Sequence, residues 1–302
     1  MERVFAAAGF PPPVAVAEQH APDGTFPTVA FPNPEEPGAM DLLLELAASS
    51  GAAIALANDP DADRLGVAIP LADGGWRKLT GDEIGWLLAD HVLANTSGSD
   101  RLVVTTLVSS SLLATLAEAY GVHSAETFTG FKWIARAVLE RPDLHFVFGY
   151  EQALGYLVTD RPLDKDGITA ALLMAEVAAV AAAEGASIED RLDDLAARFG
   201  RHVTAERSVR LAPDDAAAWV ASMIDAPPAE VGGRKVVGTA SYPEADLVRL
   251  QLEGGVRLQV RPSGTEPKVK LYGEAVDLDA AALATLLTAL ASRATPGARH
   301  PT

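Results

Sequence analysis

The 302-residue sequence predicts an α/β protein: two mixed or parallel α/β domains, the first of them incomplete, followed by a smaller C-terminal α+β domain. Three observations predict it. Strand-like apolar runs alternate with helix-length segments as far as about residue 199, the pattern of α/β units. Beyond residue 200 several strand-like runs follow one another with only two flanking helices. One apolar run, Ile54-Ala55-Leu56-Ala57, ends in Asn58-Asp59-Pro60-Asp61-Ala62-Asp63-Arg64, and open α/β sheets place ligands at the carboxyl ends of strands.

In chain order, residues 1–11 read as the tail of a helix and 10–37 as a Pro-rich connection. Residues 40–50 have helical apolar spacing, with Gly51 as the C′ residue. Strands follow at 52–57, 65–69 and 76–79, the last pair joined by the turn Asp73-Gly74-Gly75. Thr80-Gly81-Asp82-Glu83 has the spacing of a capping box and opens a helix to about residue 94. Strands at 102–107, 122–127 and 145–148 then alternate with helices at 110–120, 131–139 and 166–184. A short helix at 188–199 leads through Gly200 to strands at 203–211, 235–240, 246–252 and 256–260, with Gly254-Gly255 as a hairpin turn. Helices at 213–223 and 278–293 flank them. The expected division is 1–79, 80–199 and 200–302.

Composition removes several function classes. A net charge of −17 argues against a nucleic-acid partner, because phosphate backbones are bound by basic surface. The absence of cysteine excludes disulfides, thiolate metal sites and thiol catalysis, and fits a reducing cytoplasm. No uncharged apolar run approaches about 18 residues, and the apolar part of the first eleven residues is too short for a secretory signal.

Four stretches carry candidate chemistry. Asp59, Asp61 and Asp63 alternate just past a strand end, so they can bend toward one point as oxygen ligands for Mg²⁺. Together they repel one another, and Arg64 supplies one positive charge; a surface turn is the competing reading, and the spacing does not fit a calcium loop. Arg261-Pro262-Ser263-Gly264-Thr265-Glu266-Pro267-Lys268 suits a phosphate: a planar guanidinium, two hydroxyls, a glycine that admits close backbone approach, and added charge from Lys268 or Lys270. An ordinary hairpin has the same residue types. Glu151, in Gly149-Tyr150-Glu151-Gln152-Ala153-Leu154-Gly155-Tyr156, falls past a strand and suits vicinal sugar hydroxyls, and a structural ion pair would look alike. Thr129-Gly130-Phe131-Lys132-Trp133 opens a helix, where free N–H groups and Lys132 favour an anion. Ser109-Ser110-Ser111 reads as a helix N-cap.

These stretches, in this order, resemble the α-D-phosphohexomutase family, the phosphoglucomutases and phosphomannomutases. Residues 58–64 resemble its metal loop, 126–133 the loop that helps select sugar orientation, 149–155 its sugar-binding loop and 261–268 its phosphate-binding loop. Phe146 to Tyr156 followed by Asp164-Lys165-Asp166-Gly167 most resembles the bacterial phosphoglucomutase and phosphopentomutase-like branch. The resemblance implies Mg²⁺ on Asp59, Asp61 and Asp63, charge neutralisation by Arg64, sugar contacts from Thr129, Gly130, Lys132, Glu151 and Ala153, and phosphate contacts from Arg261, Ser263, Gly264, Thr265 and Lys268. It implies interconversion of hexose 1- and 6-phosphates through a bisphosphate, by way of a phosphoserine, with glucose, mannose or pentose phosphate as partner in the cytoplasm.

Two departures qualify the match. Ala153 stands where the family has serine, and no Thr-Ala-Ser-His-Asn-Pro type segment occurs. The chain therefore reads as a mutase lacking its N-terminal catalytic-serine domain, inactive in isolation, with an open sheet edge inviting self-association. A non-catalytic sugar-phosphate-binding fragment or split-enzyme half is the alternative. An Asp-nucleophile phosphatase using Asp59 and Asp61 is a weaker one, because it leaves the Arg261 loop unexplained.

Overall fold

The computed structural model describes residues 1–264 and 266–294, in two compact units, Met1–Asp194 and Leu195–Thr302. The architecture is mixed α/β, as the sequence predicts.

The first unit begins with α1 (Glu2–Ala7), α2 (Ala17–His20) and α3 (Asp41–Ser50). Gly51 ends α3 in the left-handed conformation, φ 65°, which a residue without Cβ adopts freely. Strands β1 (Ala55–Ala57), β2 (Gly66–Pro70) and β3 (Trp76–Lys78) form an antiparallel sheet in that order. Its apolar face packs against α3 through Met40, Ala47, Ala55 and Ala68.

Helix α4 (Gly81–Asn95) starts at the expected capping box: Glu83 N–H donates to Thr80 Oγ1 over 3.2 Å, and Thr80 N–H to Glu83 Oε2 over 2.8 Å. Then come β4 (Arg101–Thr106), α5 (Leu112–Ala119), β5 (His123–Thr127), α6 (Phe131–Leu139), β6 (His145–Glu151), β7 (Gly155–Leu157), α7 (Gly167–Ala183) and α8 (Ile188–Phe199). The sheet order is β5-β4-β6-β7, with β4 parallel to β5 and β6, and β7 antiparallel to β6. Parallel pairing with helical crossovers buries all six residues of β4.

Here the structure differs from the sequence reading in three details. Strand β6 runs on through Glu151, and the chain returns at once as β7, which is too short to show a period. The serine run caps the helix only in part: Ser110 Oγ accepts the N–H of Leu112, the first residue of α5, over 3.1 Å. Ser111 makes no side-chain capping bond, while Ser109 is buried and its Oγ receives the N–H of Gln152 over 3.1 Å.

The second unit holds β8 (His202–Arg210), α9 (Pro213–Asp225), β9 (Glu230–Val231), β10 (Arg234–Tyr242), β11 (Leu247–Leu252), β12 (Val256–Pro262), β13 (Lys268–Val276) and α10 (Ala280–Ala291). The sheet order β8-β13-β12-β11-β10-β9 is antiparallel throughout. Gly254 and Gly255, at φ 80° and 72°, make the predicted β11–β12 hairpin turn. Leu250, Leu258, Leu271 and Ala275 face Trp219, Leu283 and Leu287 of the two helices in one core. In this unit Glu274 joins two buried partners, Arg257 Nη2 at 2.6 Å and His202 Nδ1 at 3.0 Å.

No single described helix is long and apolar enough to cross a membrane.

Candidate functional site

The acidic loop leaves β1 and folds back on itself. Asn58 Nδ2 donates to the Arg64 carbonyl over 2.6 Å, and Arg64 N–H donates to Asp59 Oδ1 over 2.9 Å. Ala62 takes φ 58°, a left-handed conformation that costs a residue with Cβ of order 1 kcal/mol. Two further backbone bonds fasten the loop from outside: Gly167 N–H to the Ala62 carbonyl at 3.0 Å, and Leu65 N–H to the Leu154 carbonyl at 3.0 Å. Residue 167 must be glycine at this approach, since a Cβ would lie 2.2 Å from the Arg64 carbonyl oxygen.

Tied down in this way, Asp59, Asp61 and Asp63 each offer a carboxylate oxygen within 4.8 Å of the others. Arg64 Nε lies 3.6 Å from Asp59 and 3.9 Å from Asp63, and its Nη1 is 3.5 Å from Glu35. Burial, reinforced by the charges of Asp63 and Asp61 and opposed by the Arg64 N–H, raises the Asp59 carboxyl above its ordinary value. Clustered carboxylates in that state are stabilised by a cation. The donor set, all hard oxygens, could hold a divalent metal ion.

The loops predicted for a sugar lie in the same unit as the acidic loop. Glu151, at the end of β6, is 8% exposed, and its Oε1 accepts the N–H of Gly130 over 2.6 Å. Gly130 is the N-cap of α6 at φ 111°, a conformation open to glycine. Thus the helix N-terminus predicted to favour an anion already receives a carboxylate of its own chain. Thr129 is half-buried beside it. Lys132 is exposed, with Nζ 5.6 Å from the Trp133 ring centroid. Ala153 sits in the three-residue link between β6 and β7, whose next residue, Leu154, is left-handed at φ 62°. An isolated bridge pairs Arg64 with Gly155, so the acidic loop and the 151–155 loop are hydrogen-bonded neighbours.

The third stretch lies in the second unit, between β12 and β13. Arg261 pairs across the sheet with Lys270, and Lys268 with Arg210, so four cations occupy neighbouring register positions. Ser263 N–H donates to the Lys268 carbonyl over 2.8 Å, closing the hairpin. Gly264 is exposed with nothing within 4 Å of an added Cβ, so no packing constraint demands glycine there. Lys268 Nζ is 2.8 Å from Glu266 Oε1, and this partner lowers the Glu266 carboxyl. Thr265 lies outside the described residues.

Sequence reasoning passed over two groups. Lys165 reaches the acidic loop, with Nζ 2.5 Å from Asp63 Oδ2. Ser109 and Gly81 hold the Glu151 loop from behind: Ser109 Oγ bonds Gln152, and a Cβ on Gly81 would stand 1.8 Å from the Gln152 carbonyl oxygen. Lys165 lies in the Asp164-Lys165-Asp166-Gly167 stretch already noted for its resemblance, but its partner lies about a hundred residues away.

Known proteins match the chain domain by domain. Residues 1–72 match the phosphoglucomutase/phosphomannomutase alpha/beta/alpha domain II, residues 80–199 match domain III, and residues 171–292 match the C-terminal domain of the same enzymes. A probable phosphomannomutase of Haemophilus influenzae is 40% identical over 281 residues, covering 91% of this chain and 57% of that protein. A phosphopentomutase of Pongo abelii is 32% identical over 309 residues, covering 91% of this chain and 50% of its own length. The crystal structure of a phosphoglucomutase/phosphomannomutase family protein from Burkholderia thailandensis shares the fold, with a TM-score of 0.66 at 23% identity over 93% of this chain and 55% of that one. The chain thus spans about half the length of the curated relatives it matches. Three successive domain matches and relatives of one kind lead to one conclusion: the chain belongs to the α-D-phosphohexomutase superfamily.

Proposed function

We propose that residues 1–302 supply the metal, sugar and phosphate sites of a Mg²⁺-dependent phosphosugar mutase that interconverts hexose 1- and 6-phosphates through a bisphosphate. The observation that carries this reading is the gathering of three carboxylates within 4.8 Å beside the loop that bears Glu151. The relatives are named for phosphomannose and phosphopentose, and Ala153 leaves the sugar preference open between glucose, mannose and pentose phosphates.

In this reading Asp59, Asp61 and Asp63 hold Mg²⁺, which when bound neutralises charge on the transferred phosphoryl group. Arg64 adds a fixed positive charge at the same loop. Glu151, aimed by the Gly130 N–H, accepts hydrogen bonds from sugar hydroxyls, with Thr129 and Lys132 flanking it. Arg261, Ser263, Gly264, Thr265 and Lys268 bind the phosphate that is not being transferred. Positioning and charge neutralisation account for most of phosphoryl-transfer catalysis, and these residues provide both. The three-part division at residues 79 and 199 assigns the metal, sugar and phosphate loops to successive parts, in a cytoplasmic enzyme.

The 302 residues contain no Ser-His-Asn phosphoryl donor, so this polypeptide alone should bind sugar phosphate without turning it over. A coupled assay from glucose 1-phosphate to glucose 6-phosphate tests the second half, and calorimetry with glucose 6-phosphate the first. Equal heats for wild type and Arg261→Ala would remove the phosphate site, and turnover by the chain alone would remove the missing-donor argument. Phosphate release from p-nitrophenyl phosphate, lost in Asp59→Asn, would favour the phosphatase instead.

A further inference from the structure

Lys165 stands immediately before Asp166, the N-cap of α7. Its Nζ is 2.5 Å from Asp63 Oδ2 and 3.6 Å from Asp164 Oδ1. The other oxygen of Asp63 faces Arg64 Nε at 3.9 Å, so both Asp63 oxygens already have cationic neighbours. The Lys165 stem crosses β7, where a Cβ on Gly155 would lie 2.7 Å from its Cδ. Its ammonium lies 5.6 Å from the centroid of the Phe131 ring, next to Gly130 in sequence. One side chain therefore touches the acidic loop, the strand after the Glu151 loop and the start of α6. Burial works against its charge, but the hydrogen bonds and charges of Asp63 and Asp164 together outweigh this and raise its pKa, so it stays an ammonium.

A divalent ion held by Asp59, Asp61 and Asp63 needs one Asp63 oxygen, and each of the two now has a cationic neighbour. The Arg64 backbone is fixed within the loop, and its guanidinium is shared with Asp59 and Glu35 as well as Asp63. Lys165 is not so restrained, because its charge sits at the end of a flexible four-carbon stem. Gly155 leaves room beneath that stem, and the Phe131 ring, already 5.6 Å from the ammonium, still faces it when the Asp63 pair opens.

We propose that Lys165 is the internal counter-ion of the acidic loop, displaced from Asp63 when a divalent cation binds and freed to meet an anionic ligand at the Glu151 loop. The proposal rests on the metal and sugar sites assigned above. The exchange breaks an ion pair and no covalent bond. It makes metal and anionic sugar phosphate cooperative, because each binds better when the other has been accommodated, and by linkage the effect is equal in both directions. It also keeps the loop's carboxylates partly neutralised without metal, at the cost of metal affinity.

The test is calorimetric titration of MgCl₂ into the full 302-residue chain as wild type, Lys165→Met, Lys165→Arg and Asp61→Asn. Methionine keeps an apolar stem over Gly155 and Phe131 while removing the charge. Lys165→Met should bind Mg²⁺ about tenfold more tightly, equivalent to about 1.4 kcal/mol. Lys165→Arg should stay close to wild type, and Asp61→Asn should lose binding. Tighter binding is an outcome that mere structural damage does not produce. Mg²⁺ should also tighten glucose 6-phosphate binding more in wild type than in Lys165→Met. Unchanged or weaker Mg²⁺ affinity in Lys165→Met, with Asp61→Asn still losing it, would overturn the counter-ion role and leave the metal site standing. Identical titrations of wild type and Asp61→Asn would overturn both.

Discussion

Asp61→Asn should stabilise the chain without metal and abolish its response to Mg²⁺. The three carboxylate oxygens lie within 4.8 Å of one another, where two unit charges repel by about 0.9 kcal/mol in water and about 3.5 kcal/mol at an effective dielectric constant of 20. Arg64 and Lys165 offset Asp59 and Asp63, while Asp61 has no ion-pair partner among the described residues. Asp61 is exposed, so the aqueous figure governs. Two such repulsions, reduced by the neighbouring cations, leave a gain of about 1 kcal/mol for the amide. In a unit of this size that raises Tm by about 2–4 °C. Saturation of wild type with Mg²⁺ at about one hundred times Kd should add about 2.7 kcal/mol, and the variant should gain little.

The pH dependence follows from Asp59. A carboxyl raised in the fold contributes stability that is present below its unfolded value of about 3.9 and lost as pH rises through the higher folded value. The advantage of Asp61→Asn over wild type should therefore grow as pH climbs out of that range. Thermal melts with and without MgCl₂, at several pH values, give every number needed. A lower Tm for metal-free Asp61→Asn, or the same Mg²⁺ shift in both proteins, would refute the reasoning.

Other perturbations have equally definite outcomes. Glu274→Ala strips a buried guanidinium and a buried imidazole of their shared carboxylate and should destabilise the second unit by about 3 kcal/mol in urea, read from Trp219 fluorescence. Gly81→Ala drives a Cβ into the Gln152 carbonyl and should cost about 2–3 kcal/mol together with weaker glucose 6-phosphate binding; unchanged binding would mean that the Glu151 loop does not depend on α4. Thr80→Ala removes one half of the capping box and should cost about 1 kcal/mol, measured by thermal melting, with Mg²⁺ affinity intact.

What the sequence disclosed and what it hid divide along a physical line. The Thr80 capping box, the Gly51 helix end and the Gly254-Gly255 turn are local devices, decided by residues three or four apart, and all three appear where the pattern places them. The convergence of Asp59, Asp61 and Asp63 is legible for the same reason, since one short loop contains them all. Lys165 was not legible as their partner, because its approach depends on how α7 meets the loop after β1. The serine run shows the same limit from the other side. Composition reads it as a cap, which Ser110 supplies to Leu112, but burial against the β6–β7 link gives Ser109 a different bond. A three-residue strand such as β7 is invisible to periodicity and becomes a strand only because β6 lies beside it.

The central claim is that this chain holds a sugar phosphate in the manner of a mutase, which must accept both positional isomers at one place. Competition calorimetry with glucose 1-phosphate and glucose 6-phosphate in saturating MgCl₂ tests it most directly. The account predicts one mutually exclusive site for the two isomers, weakened for both by Arg261→Ala and by Glu151→Gln. Binding of one isomer alone, simultaneous binding of the two, or affinities untouched by either substitution would contradict it.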